Sequence, residues 1–299
     1  MSNGFTVIDL SQLPPPQVIE ALDFEQIFAE QLADYLARNP EHSAPLESDP
    51  AYKVLESNAY RELLLRAKIN DSAKAVMLPY ATGTDLDNLA SYWNVPRLEV
   101  TPEDDSTSPP TPAVMETDGD FRRRIQLAME GQTNAGTEGS YIFQTLSASG
   151  QVKDVKSLRQ NDASILNTIL SQEGDGSASQ ALLDSVTTHL MQPEVRQLTD
   201  ELTVQGASII AYRVRADIYV QPGPGSEQVM NAARDAAQTL VAERHRLGVI
   251  VPVSAIYGAL QQAGVSRVVL HEPAADLTPD DTEAAFCSAI ELTQHQEGA

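Results

Sequence analysis

Hydrophobic residues in the first hundred positions recur at the three- and four-residue spacing of amphipathic helices. One such run extends from Val18 to Leu36 and predicts a helix that ends near Pro40. A second helix is predicted to follow Asp49, which can cap it, with Pro50 in its first turn. Its length of about 25 residues exceeds the usual roughly 11 to 12, so this segment is predicted to bundle with other helices. The hydrophobic stripe of the second helix consists of Leu55, Ala59, Leu63, Ala67 and Val76.

The next stretch, from Tyr80 to Arg97, reads Y-A-T-G-T-D-L-D-N-L-A-S-Y-W-N-V-P-R. Gly83 allows a tight backbone turn, and Asp85 then stands where a helix N-cap is expected. Hydrophobic residues follow at helical spacing, namely Leu86, Leu89, Ala90 and Trp93. The pattern indicates a structural role, in which Gly83, Asp85 and Trp93 fix the angle between the helical segment and the residues that follow.

Residues 101–117 differ in composition from the segments on either side. They contain four prolines and four acidic residues but no Lys or Arg. This composition predicts an extended, solvated linker that acts as a domain boundary. Asp104 and Asp105 could be considered as a catalytic carboxylate pair. Neighbours in a flexible acidic run, however, have neither fixed geometry nor a desolvating wall that would separate their pKa values.

Helical and strand-like patterns alternate after this linker, which predicts an α+β fold. A helix is expected from Phe121 to Gly131, with Ile125 and Met129 on its buried side, and residues 208–220 alternate as a strand does. The predicted organisation is a helical, bundle-forming segment at 1–100, the linker at 101–117, a middle α+β domain at 118–205, a C-terminal α+β domain at 206–272 and a tail at 273–299. The tail lacks Lys and Arg and is expected to lie on the outside, partly mobile.

Charge and composition limit the classes of partner. The 299-residue chain has 42 acidic and 20 basic side chains and a formal net charge of -22, which disfavours binding to nucleic acid or to acidic membranes. The single cysteine, Cys287, excludes an intrachain disulfide. No apolar run is long enough to span a bilayer, and the N-terminus lacks a signal-peptide pattern, so the protein is expected to be soluble and cytosolic when made.

Residues that could perform catalysis do not form a recognisable motif. The five histidines are scattered, and no pair has the i, i+4 spacing that places two imidazoles on one helix face for zinc. Arg122, Arg123 and Arg124 could suggest phosphate binding, but the acidic residues just upstream can neutralise them. We therefore predict no catalytic, cofactor or metal site. An unrecognised soluble hydrolase of α+β fold remains the alternative, because a triad of distant residues leaves no sequence motif.

The wording A-x-G-x-x-L-D-x-L-A at 81–90, followed by V-P-R at 95–97, resembles the most recognisable segment of the baseplate J family, structural proteins of contractile phage tails. Further similar segments occur in the family's order: E-x-D-x-x-x-R-x-R-I at 116–125, A-G-T followed by Tyr141, V-K-D-V at 152–155 and R-Q-L-T-D-E-L-T-V at 196–204. Together they cover roughly residues 75 to 270. The linker from Thr101 to Pro112 and the tail after Pro273 match no family pattern.

The resemblance implies a baseplate wedge subunit that joins a ring around the central hub and changes conformation to start sheath contraction. Proteins similar to this one work as paired copies, so one sequence must adopt two settings, and a hinge at Thr101 to Thr117 would permit that. It implies several partners, namely a second copy, a smaller wedge protein, neighbouring wedges, and sheath-initiating or hub-proximal baseplate proteins. The expected location is the virion tail baseplate or a headless tail-like particle such as a bacteriocin. Nine residues are predicted to be structural or interface positions: Leu55, Leu63, Ala67, Gly83, Asp85, Leu86, Leu89, Trp93 and Arg97.

Overall fold

The computed structural model describes Ile8, Leu10, Leu13, Pro14 and residues 16–42, 45–106, 108–133, 136–160, 164–197, 199–221 and 225–296. The chain divides into two compact units between Pro96 and Arg97. The first unit is helical, and the second mixes helices with small sheets. The α+β class is therefore confirmed, and the break between units falls just before the range that we predicted as the linker.

The first unit contains two longer helices and one short one, α1 (Phe24–Arg38), α2 (Pro50–Ala75) and α3 (Gly83–Ala90), with a 3-10 turn at Ser91–Trp93. Asp49 caps α2 as predicted, accepting a hydrogen bond from the amide of Ala51. Helix α1 begins later than its hydrophobic pattern suggested, because Asp23 caps it and Val18 is exposed.

Helices α1 and α2 pack against each other through a small hydrophobic core. Ile27, Phe28 and Ala59 are buried, and the Phe28 and Tyr52 rings meet edge to face at 4.8 Å. The buried Asn70 side chain exchanges two hydrogen bonds with the backbone of Glu20, of 3.1 and 2.9 Å, and so ties the segment before α1 to α2. This pairing satisfies one face of α2. Bundling with helices of other chains stays a prediction.

The second unit begins with a hairpin where we predicted an extended linker. Strands β1 (Glu99–Thr101) and β2 (Val114–Met115) pair antiparallel, and an isolated bridge joins Asp104 to Thr111. The linker prediction is thus wrong for this range, because backbone pairing between residues on either side of the prolines outweighs their tendency to extend. Asp104 accepts hydrogen bonds from the Ser106 amide and hydroxyl, and these bonds lower the pKa of its carboxyl group.

The remaining elements of the second unit form two three-stranded sheets with helices packed on them. The helices are α4 (Asp118–Gly131), α5 (Glu138–Ala148), α6 (Gln180–Leu190), α7 (Ser226–Arg244) and α8 (Val253–Leu260). The strands are β3 (Val152–Arg159), β4 (Ser164–Ser171), β5 (Glu201–Gly206), β6 (Ser208–Val220), β7 (Val265–Glu272) and β8 (Glu283–Gln296). The sheet orders are β3-β4-β5 and β7-β6-β8. In the first sheet β4 and β5 are parallel, and in the second β6 and β8 are parallel.

The predicted acidic tail is largely a strand. Strand β8 pairs with β6 from Ser208 opposite Glu283 to Val220 opposite Gln296. Ala284 and Ala285 are buried, and three of the six acidic residues at 273–299 lie in the loop before β8, so the acidic composition of the range did not reveal that part of it pairs as a strand. The prediction of a mobile tail is wrong for 283–296, and residues 297–299 lie outside the described residues.

The two α+β halves of the second unit share a core. Only Ala207 separates β5 from β6, and a buried cluster of Leu170, Leu247 and Ala284 contains residues from both halves. Both halves accordingly fall in one compact unit, although we predicted a boundary between 205 and 206. Met129, which we expected to be buried, is exposed on α4, whereas Ile125 is buried as predicted.

Candidate interaction surface

Helix α2 carries a second hydrophobic stripe on the side that α1 does not cover. Val54, Leu65, Ile69 and Val76 each expose more than half of their surface. Their separations of 11, 4 and 7 positions place them on one side of a helix with 3.6 residues per turn. The α1-facing residues Leu55, Ala59 and Leu63 lie further round the helix, about 70° to 150° from the middle of this stripe. We call the stripe of Val54, Leu65, Ile69 and Val76 the open face of α2.

Charged residues lie at both margins of the open face. Asn58 and Ser72 lie on the stripe and are exposed, whereas Arg61 lies at one margin and Glu62, which pairs with Arg66, lies at the other. Exposed hydrophobic surface with few charges is typical of protein interfaces.

The predicted interface residues of α2 lie elsewhere on the helix. Leu55 and Leu63 are partly buried against α1, and Ala67 is partly buried as well. Val76, which we placed in the inward stripe, is exposed beyond the end of α2. The sequence contained both stripes, and the periodicity of one did not reveal which of them α1 would cover.

Four residues of the stretch from Tyr80 to Arg97 are buried, namely Ala81, Leu86, Ala90 and Val95. Gly83 has a φ of +53°, a left-handed conformation that costs other residues about 1–2 kcal/mol. A Cβ at Gly83 would have no atom within 4 Å, so this constraint arises from the backbone alone.

The capping prediction for this stretch was wrong. Thr82 is the N-cap of α3, and Asp85 lies in its first turn, where its charge favours the positive end of the helix. Leu89 and Trp93 are only partly buried, and Trp93 meets the exposed ring of Tyr92 edge to face at 6.3 Å. The predicted role of Gly83, Asp85 and Trp93 in setting an inter-domain angle stays a prediction.

An ionic cluster anchors the hairpin to α4, and we call it the Arg97–Arg124 clamp. The buried Arg124 guanidinium makes a two-pronged contact with the buried Glu116 carboxylate, with Nε–Oε1 at 3.1 Å and Nη2–Oε2 at 2.8 Å. Arg97 donates to the backbone oxygen of Glu116 and pairs with Asp118, both at 2.8 Å. Both guanidinium groups lie over the Phe121 ring, at 4.5 and 5.5 Å from its centre.

The clamp gives a structural reason for two of the sequence motifs on which the resemblance is based. In E-x-D-x-x-x-R-x-R-I, Glu116 pairs with Arg124, and Asp118 pairs with the arginine of V-P-R. Arg124 and Arg97 therefore have their anionic partners within the protein, and the clamp offers no phosphate site. The sequence identified the V-P-R motif and the motif at 116–125 separately, but their spacing did not show that the two motifs contact each other.

A second polar cluster links the two halves of the second unit. Asp154 is buried, pairs with Arg123 at 2.7 Å and accepts a hydrogen bond from the Leu247 amide at 3.0 Å. Lys153 Nζ lies 2.9 Å from His245 Nδ1, and His245 Nε2 lies 3.1 Å from the carbonyl oxygen of Asp175. Because a lysine ammonium can only donate, Nδ1 accepts and Nε2 carries the proton that is donated to the carbonyl. The geometry therefore requires neutral His245.

The pKa of His245 is accordingly lowered, first by burial and second by the Lys153 charge. The His245 contribution to stability is present above the unfolded-state pKa of about 6.5 and is lost as pH falls through the lowered folded-state pKa. We expect His245→Gln to flatten the fall in melting temperature between about pH 6.5 and 5. Lys153→Met should flatten it less, because burial, the larger cause, remains. A pH profile identical to wild type in H245Q would contradict this assignment.

The described residues contain no constellation that favours the hydrolase alternative. A cavity of about 460 Å³ is lined by residues that include Glu138, Tyr141, Arg159 and Asp200. There the Tyr141 hydroxyl donates to Asp200 at 2.6 Å, and burial together with this bond raises the pKa of Tyr141 to about 12. Among the described residues, no group of three His, Cys, Asp or Glu side chains is arranged to hold a metal ion. None of the described helices has the length and hydrophobicity that crossing a membrane requires.

Comparisons with known proteins agree with the resemblance and extend it. The family model of the Baseplate J-like N-terminal domain matches residues 47–104, and that of the Baseplate J-like protein C-terminal domain matches residues 212–293. Baseplate protein J of Escherichia phage P2 is 45% identical over 289 residues, which cover 94% of this chain and 96% of that protein. Most of the region that we had left unmatched after Pro273 therefore lies within the similarity, since the second match includes most of β8.

Proposed function

Because the chain belongs to the baseplate J family, we propose that it is a structural wedge subunit of a contractile tail baseplate. The proposed subunit joins the ring of wedges around the central hub, in a phage virion or a tail-like particle. Its conformational change at host contact would help to start sheath contraction. Support comes from the similarity to a phage baseplate protein over nearly the whole chain.

The open face of α2 is the observation that best indicates how the subunit assembles. A 26-residue helix that covers one side with α1 and leaves hydrophobic residues along the other can join a helical bundle with another chain. We propose that the partners on this face are a second copy of the chain and a smaller wedge protein.

We expect Leu65→Asp combined with Ile69→Asp to reduce incorporation of the chain into assembled particles at least tenfold. The two new carboxylates on the open face of α2 must lose their hydration when the bundle forms, whereas in the free subunit both side chains lie in water. Incorporation is measured by quantitative mass spectrometry of purified particles, with circular dichroism as a check that the variant folds.

Met129→Asp is the matched control, because it changes an exposed hydrophobic residue of the second unit to the same charge. This variant should assemble normally. Normal incorporation of the double α2 variant would remove the open face from the interface. Leu63→Asp, which the sequence suggested, is a poorer probe, because Leu63 packs near α1 and its loss would damage the subunit itself.

We do not place the hinge between the two settings of the subunit at 101–117. The Arg97–Arg124 clamp and backbone pairing hold the hairpin at 99–115, which makes it a poor hinge. We propose instead that adjustment between the two settings of the subunit occurs around Pro96, where the compact units divide.

A further inference from the structure

Strand β8 forms one edge of the β7-β6-β8 sheet. On the side away from β6, only its beginning is engaged within the described part of the chain. The Gly248 amide donates to the Glu283 carbonyl oxygen at 3.0 Å, and Leu247 bridges to Ala284. From 285 to 296, the described residues form backbone pairs with β8 only through β6. Because backbone groups alternate in direction along a strand, every second residue of the regular stretch from Ala289 to Gln296 directs its N–H and C=O away from β6.

Apart from one bulge, this edge lacks the features that normally prevent strands from pairing with other chains. Native edge strands are often short or contain Lys, Pro or an outward bulge. Strand β8 has 14 residues and reads E-A-A-F-C-S-A-I-E-L-T-Q-H-Q, without Lys or Pro. Strand β8 has one bulge, because Ser288 is an extra residue between the pairs Tyr212–Cys287 and Arg213–Ala289, and the strand is regular from Ala289 to Gln296. At the other edge of the sheet, β7 contains Arg267 and ends just before Pro273.

The charges near this edge favour one kind of occupant. The only fully charged side chains of β8 are Glu283 and Glu291, and the chain from 268 to 299 contains seven acidic residues without one Lys or Arg. A second copy of β8 would bring two such segments together, in molecules that each carry a net charge of -22. A strand with Lys or Arg near Glu291 would instead gain an ion pair across the new edge.

We propose that an extended, Lys- or Arg-bearing segment of another protein of the particle adds to β8 as the fourth strand of this sheet. The backbone of the added segment supplies the hydrogen bonds. Its side chains lie beside those of β8, of which Glu291 and Thr293 are exposed while Ile290 and Leu292 pack inward. This inference rests on the proposed baseplate function and names a contact distinct from the open face of α2.

Hydrogen–deuterium exchange with single-residue resolution tests the proposal on the full chain, alone and in purified particles. In the isolated chain, alternate amides between 289 and 296 should exchange rapidly. In the particle, those same alternate amides should exchange at least tenfold more slowly. Unchanged rates in particles that contain the chain would overturn the strand addition while leaving the baseplate function intact. Slowing of all exposed amides alike would overturn it too, because it would indicate burial of a face.

Two further outcomes identify the occupant. Protection of the alternate amides in the isolated chain at high concentration would make the occupant a second copy and overturn the assignment to a basic strand. Absence of the chain from particles would overturn the baseplate function and this inference together.

As a check on charge, Glu291→Lys should reduce incorporation at least tenfold, whereas Asp235→Lys, the same change at an exposed position of α7, should not. Equal incorporation of both variants would contradict the basic character of the strand.

Discussion

A chain that ends at Thr282 is expected not to fold its second unit. This truncation removes β8 and with it the partner of all thirteen residues of β6 from Ser208 to Val220. It also removes the buried Ala284 and Ala285 and the inward-packed Ile290 and Leu292. Burial of each large aliphatic side chain contributes about 1.5–3 kcal/mol, and the lost backbone pairing adds to this. The total approaches the roughly 5–15 kcal/mol by which most domains are stable.

The truncation is measured by circular dichroism, thermal unfolding and gel filtration of the purified chain. A chain that ends at Gln296 is the matched control, since it keeps all of β8, and its melting temperature should equal that of the full chain. A soluble monomer ending at Thr282 with a wild-type second-unit transition would show that β8 is an accessory strand.

Arg124→Met is expected to destabilise the second unit by about 3–5 kcal/mol. The substitution leaves Glu116 buried without its cation, and an unpaired buried carboxylate is far more costly than the loss of the contact alone. Chemical denaturation monitored by circular dichroism measures the change in unfolding free energy. Arg215→Met removes an exposed arginine that pairs with Glu272 at 3.3 Å, and it should cost no more than about 1 kcal/mol.

The double variant Glu116→Leu with Arg124→Met separates the two contributions. If the loss comes mainly from the stranded carboxylate, the double variant should recover a large part of the stability. Additive losses in the two single variants would instead show that each side chain acts through its other contacts, for example that of Arg124 with Phe121.

Local signals predicted much of the secondary structure. The cap at Asp49, the first-turn Pro50 and the spacing of the stripe were sufficient to place α2, because helix caps and helix periodicity depend on neighbouring residues. Strands such as β6 were recognisable because one side is buried and the other is exposed, which leaves an alternating pattern.

Long-range pairing was the part that sequence patterns could not supply. The acidic composition around β8 suggested a solvated tail, because its stabilising partner lies in a strand far upstream. The hairpin at 99–115 was missed for a related reason, since prolines dominate the local signal while pairing joins its ends. Within the candidate site, periodicity found the stripe of Leu55 and Leu63 but could not tell that α1 of the same chain would cover it.

The parallel pairing of β6 with β8 also governs when the protein can fold during synthesis. Ser208 and Glu283, which begin the pairing, are 75 positions apart, and the pairing ends at Gln296. Contacts of high sequence separation form slowly and require that both partners be available. A nascent chain can therefore complete the second unit only after the residues up to Gln296 have left the ribosome. Translation products that stop before β8 would lack a finished second unit and would not be competent for assembly.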